Sequence, residues 1–261
     1  MANILDRYGI KEVCDVTFYR IAGSADVEAA VKADPAATLK VGDPMEPVLY
    51  LDSLKISTVE QTADNTSARG GKGNPELIIW DFGKEISLNL QDALFSAKSM
   101  AVMFGDQNFG TDSITATGKI LRTWNIFGLY DTAPTTLKHG TKDITVPESA
   151  VYYTATGEKE QQFNKATSAF VTFEVEAKDV MTIKINPDTF SGTYYVTGDT
   201  YARSEDTGED EFFQVQIPKA KMLSEVTLTM EAEGDPSVFD MNMKVLRPKT
   251  GEMLRLVKYD I

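Results

Sequence analysis

Histidine and cysteine are almost absent from this sequence, with one of each, His139 and Cys14, among 261 residues. Catalytic dyads and zinc sites usually draw on these residue types, because their side chains titrate near neutral pH or bind soft metals. A single cysteine also excludes an intrachain disulfide and fits a reducing compartment. We therefore expect no catalytic residue, no bound metal and no cofactor, and we interpret His139 as a bystander in a loop.

Long apolar runs and an excess of basic residues are missing as well. No run of about 18 apolar residues is present, so we expect no transmembrane helix, and residues 1–6 lack the pattern of a secretory signal. The chain has 26 Lys and Arg against 39 Asp and Glu, which gives a net charge of −13. This balance argues against binding to DNA phosphates or to an anionic membrane. It favours solubility, or a surface that repels something negative.

What the sequence does contain is a series of short alternating strands. Apolar and polar residues alternate at 171–175, 213–217 and 241–245, which is the period of a half-buried strand. The pattern predicts a mainly-β fold built from antiparallel hairpins, with one helix over about residues 92–104. In that helix Asp92 is the predicted N-cap and Gly105 the stop.

The organisation of the chain shows no clean linker. Composition does not break at any point, so the sequence predicts a single β-rich domain over residues 1–261. We expect an inserted or peripheral segment at about residues 105–165, where the strand pattern is less regular.

A glycine-rich segment lies between two strand patterns. It closes the polar stretch Glu60–Asn74, which we predict to be a long loop. Beyond it, residues 77–82 and 85–90 predict a hairpin that turns near Gly83. A phosphate-binding loop is excluded, because Lys72 is followed by glycine, asparagine and proline rather than by Ser or Thr and a helix. We interpret the segment as a contact-making loop, formed by Arg69, Gly70, Gly71, Lys72, Gly73 and Asn74.

A second unusual segment is acidic. Residues 205–211 contain five carboxylates, and carboxylate oxygens are ligands that Ca²⁺ prefers. The spacing of a known calcium loop is absent. The segment is therefore predicted to be the solvated turn of a hairpin.

Two stretches resemble structural proteins of tailed bacteriophages, most closely tail tube proteins. The first runs over Ile56–Asn74 and continues through residues 77–81, 84–90 and 92–96. The second comprises residues 217–222, 226–239 and 246–248. Neither stretch contains a catalytic motif.

The resemblance implies a tail-tube-like fold, an antiparallel β-sandwich or partial barrel with one flanking helix. Such a subunit joins edge to edge with its copies into rings, which stack through a long loop and the termini. It implies self-association into a stacked tube, with the tail sheath, baseplate and tape-measure proteins as candidate partners. DNA would pass through the channel without specific binding, and acidic residues lining the lumen would repel its phosphates. The implied inter-subunit loop is Arg69–Asn74, with Lys72 and Arg247 pairing with acidic neighbours. The implied location is the virion tail, after assembly in the host cytoplasm.

Two alternatives remain open from the sequence. The chain fits another virion position, such as a head decoration or a baseplate protein. It also fits a glycan-binding β-sandwich in a receptor-binding particle, for which Tyr194, Tyr195 and Tyr201 are the candidate aromatic platform.

Overall fold

The computed structural model describes residues 7–10, 12–94, 96–106, 114–225, 238–249 and 251–260, with the backbone alone for residues 114–116. These residues form fifteen strands and two helices. The helices are α1 (Ser24–Ala33) and α2 (Ala97–Phe104). The strands are β1 (Tyr8–Ile10), β2 (Asp15–Ile21), β3 (Pro44–Leu51), β4 (Leu54–Arg69), β5 (Glu76–Asp92), β6 (Ile114–Asn125), β7 (Thr136–His139), β8 (Lys142–Thr145), β9 (Val151–Thr154), β10 (Lys159–Glu160), β11 (Ser168–Met181), β12 (Thr193–Ser204), β13 (Asp210–Met222), β14 (Phe239–Val245) and β15 (Arg255–Tyr259).

The chain divides into two compact units. Unit 1 comprises Met1–Phe109 and Ile183–Ile261, and unit 2 comprises Gly110–Thr182. Unit 2 overlaps the segment at about residues 105–165 that we expect to be inserted or peripheral. Whether the whole chain acts as one domain stays a prediction.

Unit 1 is built on one antiparallel sheet, to which nine of the described strands belong. Its order is β3-β2-β12-β13-β14-β5-β4. Two short strands extend this path: β1 pairs with β12 beyond the end of β2, and β15 pairs with the first half of β13. The long hairpin of β12 and β13 therefore forms the centre of the sheet.

The core of unit 1 lies on one face of this sheet. Alternate side chains of the central strands are buried there, because successive residues of a strand point to opposite faces. Two methionines of β14 and two leucines of β5 pack in this core as cross-strand neighbours: Met241 pairs with Leu90 and Met243 with Leu88. The largest fully buried side chains of this core are Phe18, Leu90, Ile217, Met222, Met241 and Met243.

Unit 2 has a core of its own. Its four-stranded sheet has the order β10-β9-β11-β6, and β7 and β8 form a separate hairpin. Ile126, Leu137, Val171 and Phe173 are buried together. Trp124 stacks on Phe173 with ring centroids 4.7 Å apart, so aromatic contact adds to the burial.

The predicted flanking helix is shorter than expected, and its N-cap was assigned to the wrong residue. Helix α2 begins after Ser96, whose hydroxyl accepts the N–H of Ser99 at 3.0 Å while the Ser96 N–H donates to the Ser99 hydroxyl at 2.9 Å. Asp92 instead ends strand β5 and is buried. The end of the helix at Gly105 is confirmed. The error arose because Asp92 and Ser96 are both good cap residues, and the sheet pairing of Asp92 with Phe239 decides between them.

The predicted fold class is confirmed: the protein is mainly β, with antiparallel sheets. Helix α1, with no buried residue, is present in addition to the one predicted flanking helix. The sequence pattern at residues 226–230 lies outside the described residues. Within the part of the chain that the structure describes, no helix is long and apolar enough to cross a membrane.

Candidate assembly interface

The candidate interface is a long hairpin of β4 and β5. The predicted loop over Glu60–Asn74 was wrong, because β4 continues to Arg69 and pairs along its length with β5. Only residues 70–75 form the turn between the two strands. The segment looked like a loop because residues 60–66 are mostly polar, and all of them are exposed.

A bulge, not a turn, is found at Gly83. The predicted hairpin that reverses there was wrong: residues 77–82 and 85–90 belong to the single strand β5. The ladder shifts register between the pairs Thr62–Glu85 and Asp64–Phe82. Gly83 has φ 62°, and a left-handed glycine is typical of a β-bulge. A bulge bends a hairpin and increases its twist without ending it.

In the described part of the chain, the half of the hairpin beyond the bulge pairs with no other strand. Among the described residues, β5 pairs with β14 at residues 87–92 alone. Residues 76–85 are all exposed, although many of them are large and apolar. The exposed fractions lie between 51% and 63% for Leu77, Ile78, Ile79, Trp80 and Phe82.

These apolar side chains occupy both faces of the hairpin. Leu77 and Ile79 lie on one face, and Ile78, Trp80 and Phe82 on the other, because a strand alternates. Their cross-strand partners are small or polar, such as Thr66 opposite Trp80 and Asp64 opposite Phe82. A contiguous exposed apolar surface marks an interaction site, and an isolated two-stranded hairpin is marginally stable in water. The geometry thus favours a hairpin that another surface covers.

The base of the hairpin is anchored in the core. Ile86, Leu88 and Leu90 alternate into it, so the strand changes from exposed to buried within a few residues. Ser53 and Asp92 join the two strands by a side-chain hydrogen bond of 2.5 Å. The Asp92 carboxylate also accepts the N–H of Leu94 at 3.2 Å. A fixed base lets the uncovered half extend as an arm.

The glycine-rich turn, which contains most of the predicted assembly loop, forms the tip of this hairpin. Gly71, Gly73 and Asn74 have positive φ values of 85°, 86° and 51°. Backbone bonds close the turn, with the N–H of Gly70 donating to the carbonyl of Pro75 and that of Asn74 to the carbonyl of Gly71, each at 3.1 Å. The structure thus brings the six predicted site residues together at one exposed end. Whether they touch another subunit stays a prediction.

The two cations expected to pair with acidic neighbours, Lys72 and Arg247, are exposed. Neither Lys72 nor Arg247 has an ion pair with any residue that the structure describes. At the tip the neighbouring Arg69 lies 3.6 Å from Glu76. Lys72 therefore offers a free positive charge on a chain of net charge −13.

The acidic segment is a hairpin turn, as predicted. It joins β12 to β13. Three of its carboxylates have a cation: Arg7 for Glu205, Arg203 for Asp210 and Lys258 for Glu211. Among the described residues, no cluster of side chains with the composition of a metal site is present.

The three tyrosines of the glycan-binding alternative do not share a platform. Tyr194 points into the core, where its ring lies 5.9 Å from Phe18, and burial raises the pKa of its hydroxyl. Tyr195 and Tyr201 lie on the opposite face, six residues apart along β12, which is about 20 Å in a strand. His139 was predicted to lie in a loop, which was wrong: it is the last residue of strand β7 and pairs with Lys142. A ring nitrogen of His139 lies 2.7 Å from Arg122 in unit 2.

The apolar arm was missed by sequence reasoning, although a signal for it exists. The run Leu77–Phe82 is apolar at consecutive positions, which a strand buried on one face does not need. The sequence predicts one strand of a hairpin over this run, and only the structure places it outside the core.

Comparison with known proteins gives one match. A family model described as the YomU/Tube protein family matches residues 35–258. No curated protein matches the chain.

Proposed function

The chain belongs to the YomU/Tube protein family, and from this membership we propose that it is a tail tube subunit that stacks as rings around a channel for DNA. The family match and the β-rich fold support a phage structural protein of the tail tube type, in agreement with the resemblance noted in the sequence. The proposal assigns the chain to the virion tail, with no catalytic role.

One observation carries the proposal: the β4–β5 arm exposes a large apolar surface that its own unit leaves uncovered. Burial of such a surface is favourable by about 25 cal/mol per Å². Another copy of the chain is the partner that a homo-oligomeric tube supplies. The hairpin therefore acts as the inter-subunit arm, with Arg69–Asn74 at its tip.

The net charge supports passage of DNA rather than binding. A chain of net charge −13 builds a tube whose summed field repels phosphates. Since repulsion between subunits also opposes assembly, added salt should favour the tube by screening it.

The test is negative-stain electron microscopy of the purified chain at high concentration across a salt series. We expect rings or hollow tubes whose yield rises with salt. The variant Ile78→Thr/Trp80→Thr/Phe82→Thr should stay monomeric, because one apolar face of the arm is removed. Its matched control is Leu121→Thr/Phe127→Thr/Leu129→Thr, which changes three similarly exposed residues of unit 2 and should assemble.

Two results contradict the proposal. Arm-variant tubes as abundant as those of the wild type would remove the arm from assembly. Wild-type monomers at every salt concentration would favour a decoration protein that binds a preformed lattice.

A further inference from the structure

A concave site on unit 1 contains cations that have no ion-pair partner among the described residues. It is a cavity of about 390 Å³ between the start of β3, the loop after β14 and the middle of β13. Ile21, Pro218 and Tyr195 supply apolar surface, and Lys219, Lys249 and Arg255 supply positive charge. On a chain of net charge −13 such a grouping is unexpected.

Two of these cations have no partner among the residues that the structure describes. Lys219 is half-buried and Lys249 is exposed, and neither makes an ion pair or side-chain hydrogen bond with a described residue. Arg255 is paired with Glu252. The remaining anion, Asp43, accepts the backbone N–H of Lys40 at 2.8 Å. The two ammonium groups outnumber the Asp43 carboxylate, so the lining is net positive and favours an anionic occupant.

The acidic turn carries the complementary charges. The carboxylates of Asp206 and Glu209 make no ion pair or side-chain hydrogen bond with the part of the chain that the structure describes, unlike the paired Glu205, Asp210 and Glu211. Both are exposed, beside Gly208 at the end of the β12–β13 hairpin. Two free carboxylates therefore match two free ammonium groups in number and sign.

The turn cannot reach the cavity of its own chain. Lys219 lies on β13, nine residues beyond Asp210, which corresponds to about 30 Å along a strand. The turn and the cavity are thus separated along one rigid central hairpin. Complementary surfaces at different places on one molecule make a heterologous contact, which builds rings or open stacks.

We propose that the acidic turn of one copy, through Asp206 and Glu209, binds in the cavity of the next copy against Lys219 and Lys249. The inference shares with the proposed function only the requirement that the chain assembles with itself. The charges set the orientation of neighbouring copies more than their affinity, because exposed ion pairs contribute little. Contact with Ile21, Pro218 and Tyr195 adds the apolar part.

A charge exchange tests the contact. The cavity variant is Lys219→Glu/Lys249→Glu, and the turn variant is Asp206→Lys/Glu209→Lys. In either variant alone, the turn and the cavity carry charges of the same sign. The turn of one copy is then repelled by the cavity of the next. We expect self-association, measured by sedimentation velocity, to weaken about tenfold or more.

Mixing the two variants supplies the decisive result. The lysines of the turn variant then face the glutamates of the cavity variant, and the unchanged turn of the latter faces the unchanged cavity of the former. Alternating copies are therefore compatible, and an equimolar mixture should regain association. The advantage of the mixture should shrink at high salt, since screening weakens charge pairing.

Matched controls carry the same changes of net charge elsewhere. Lys32→Glu/Lys142→Glu and Glu28→Lys/Glu158→Lys alter exposed residues that form no ion pair with described residues, and should associate like the wild type. Thermal unfolding confirms that each variant is folded. The milder variant Lys219→Gln/Lys249→Gln replaces the cavity variant if that one fails to fold, and should weaken association without reversing it.

The outcomes separate this contact from the proposed function. Single variants that associate like the wild type, or a mixture no better than its components, overturn the contact. If tubes form regardless, the proposed function stands without it. A mixture that regains association, while no sample ever forms hollow tubes, supports the contact and counts against the tube.

Discussion

Ser53 and Asp92 are joined by a side-chain hydrogen bond of 2.5 Å at the base of the β4–β5 hairpin. Asp92 is 2% exposed, so its carboxylate depends on this bond and on the N–H of Leu94. A buried polar group is costly without partners. The pair therefore stabilises the point from which the uncovered arm extends.

Replacement of Asp92 by alanine should destabilise the fold. The change leaves the Ser53 hydroxyl and the Leu94 N–H without their acceptor, and we expect a loss of about 1–3 kcal/mol in the free energy of unfolding. Urea unfolding followed by circular dichroism measures it. Asp240→Ala, an exposed aspartate on the adjacent strand β14, is the control and should change stability little. Equal effects of the two substitutions would contradict this role.

Trp80 should report assembly by its fluorescence. The chain has two tryptophans: Trp80 is 51% exposed on the arm, and Trp124 is stacked on Phe173 in unit 2. If another copy covers the arm, the emission of Trp80 moves to shorter wavelength as the chain assembles. Trp124→Phe should retain the shift and Trp80→Phe should abolish it. A shift that persists without Trp80 would exclude burial of this side chain.

The tip of the arm should tolerate a side chain at Gly70 but not at Gly71. Gly71 has φ 85°, so valine there costs of order 1–3 kcal/mol of local strain. At Gly70 an added Cβ meets only the Cδ1 atom of Leu77, at 3.4 Å. We expect Gly71→Val to slow assembly in light scattering and Gly70→Ala to leave it unchanged. Gly70→Ala should keep the wild-type melting temperature, whereas Gly71→Val should lower it by a few degrees, since its strain is confined to the tip.

Cys14 should react slowly with thiol reagents, and its rate should keep rising at alkaline pH. Burial raises the pKa of the Cys14 thiol, in a cavity of about 210 Å³ lined mainly by apolar side chains, and the thiolate is the reactive form. Because the folded pKa is the higher one, this group favours folding below the ordinary thiol pKa. That contribution is lost as pH rises through the folded-state pKa.

Iodoacetamide labelling across pH 7–10, followed by mass spectrometry, checks this behaviour. Chain unfolded in urea is the reference and should label faster at every pH in the lower part of the range. A folded chain whose labelling profile coincides with that of the unfolded chain would mean that the thiol is not shielded.

Much of the fold was predictable because it depends on local alternation. The patterns at 171–175 and 241–245 form β11 and β14, with Val171, Met241 and Met243 buried as their period requires. Gly105 ends helix α2 as expected. These features depend on residues close together in the chain, so a local sequence pattern predicts them.

The arm was not predictable in the same way. Residues 60–66 have no alternation, and Gly83 with Lys84 resembles a turn, so a 16-residue and a 17-residue strand were interpreted as a loop and a hairpin. A glycine with positive φ is found in bulges as well as in turns, so Gly83 alone does not distinguish them. Only the sheet register shows which of the two is present. Register is set by pairing between strands, which no local window contains.

The sequence by itself determined the class of the protein: mainly β, acidic, poor in catalytic residue types, and similar to tail tube proteins. Composition and local periodicity suffice for the first three conclusions, and the fourth depends on the resemblance of two stretches to that family. Only the tertiary structure decided that Leu77–Phe82 lies outside the core, and that Lys219 and Asp206 lie far apart without ion pairs to described residues. Exposure and pairing depend on which strands become neighbours, a property of the whole sheet that is absent from any single segment.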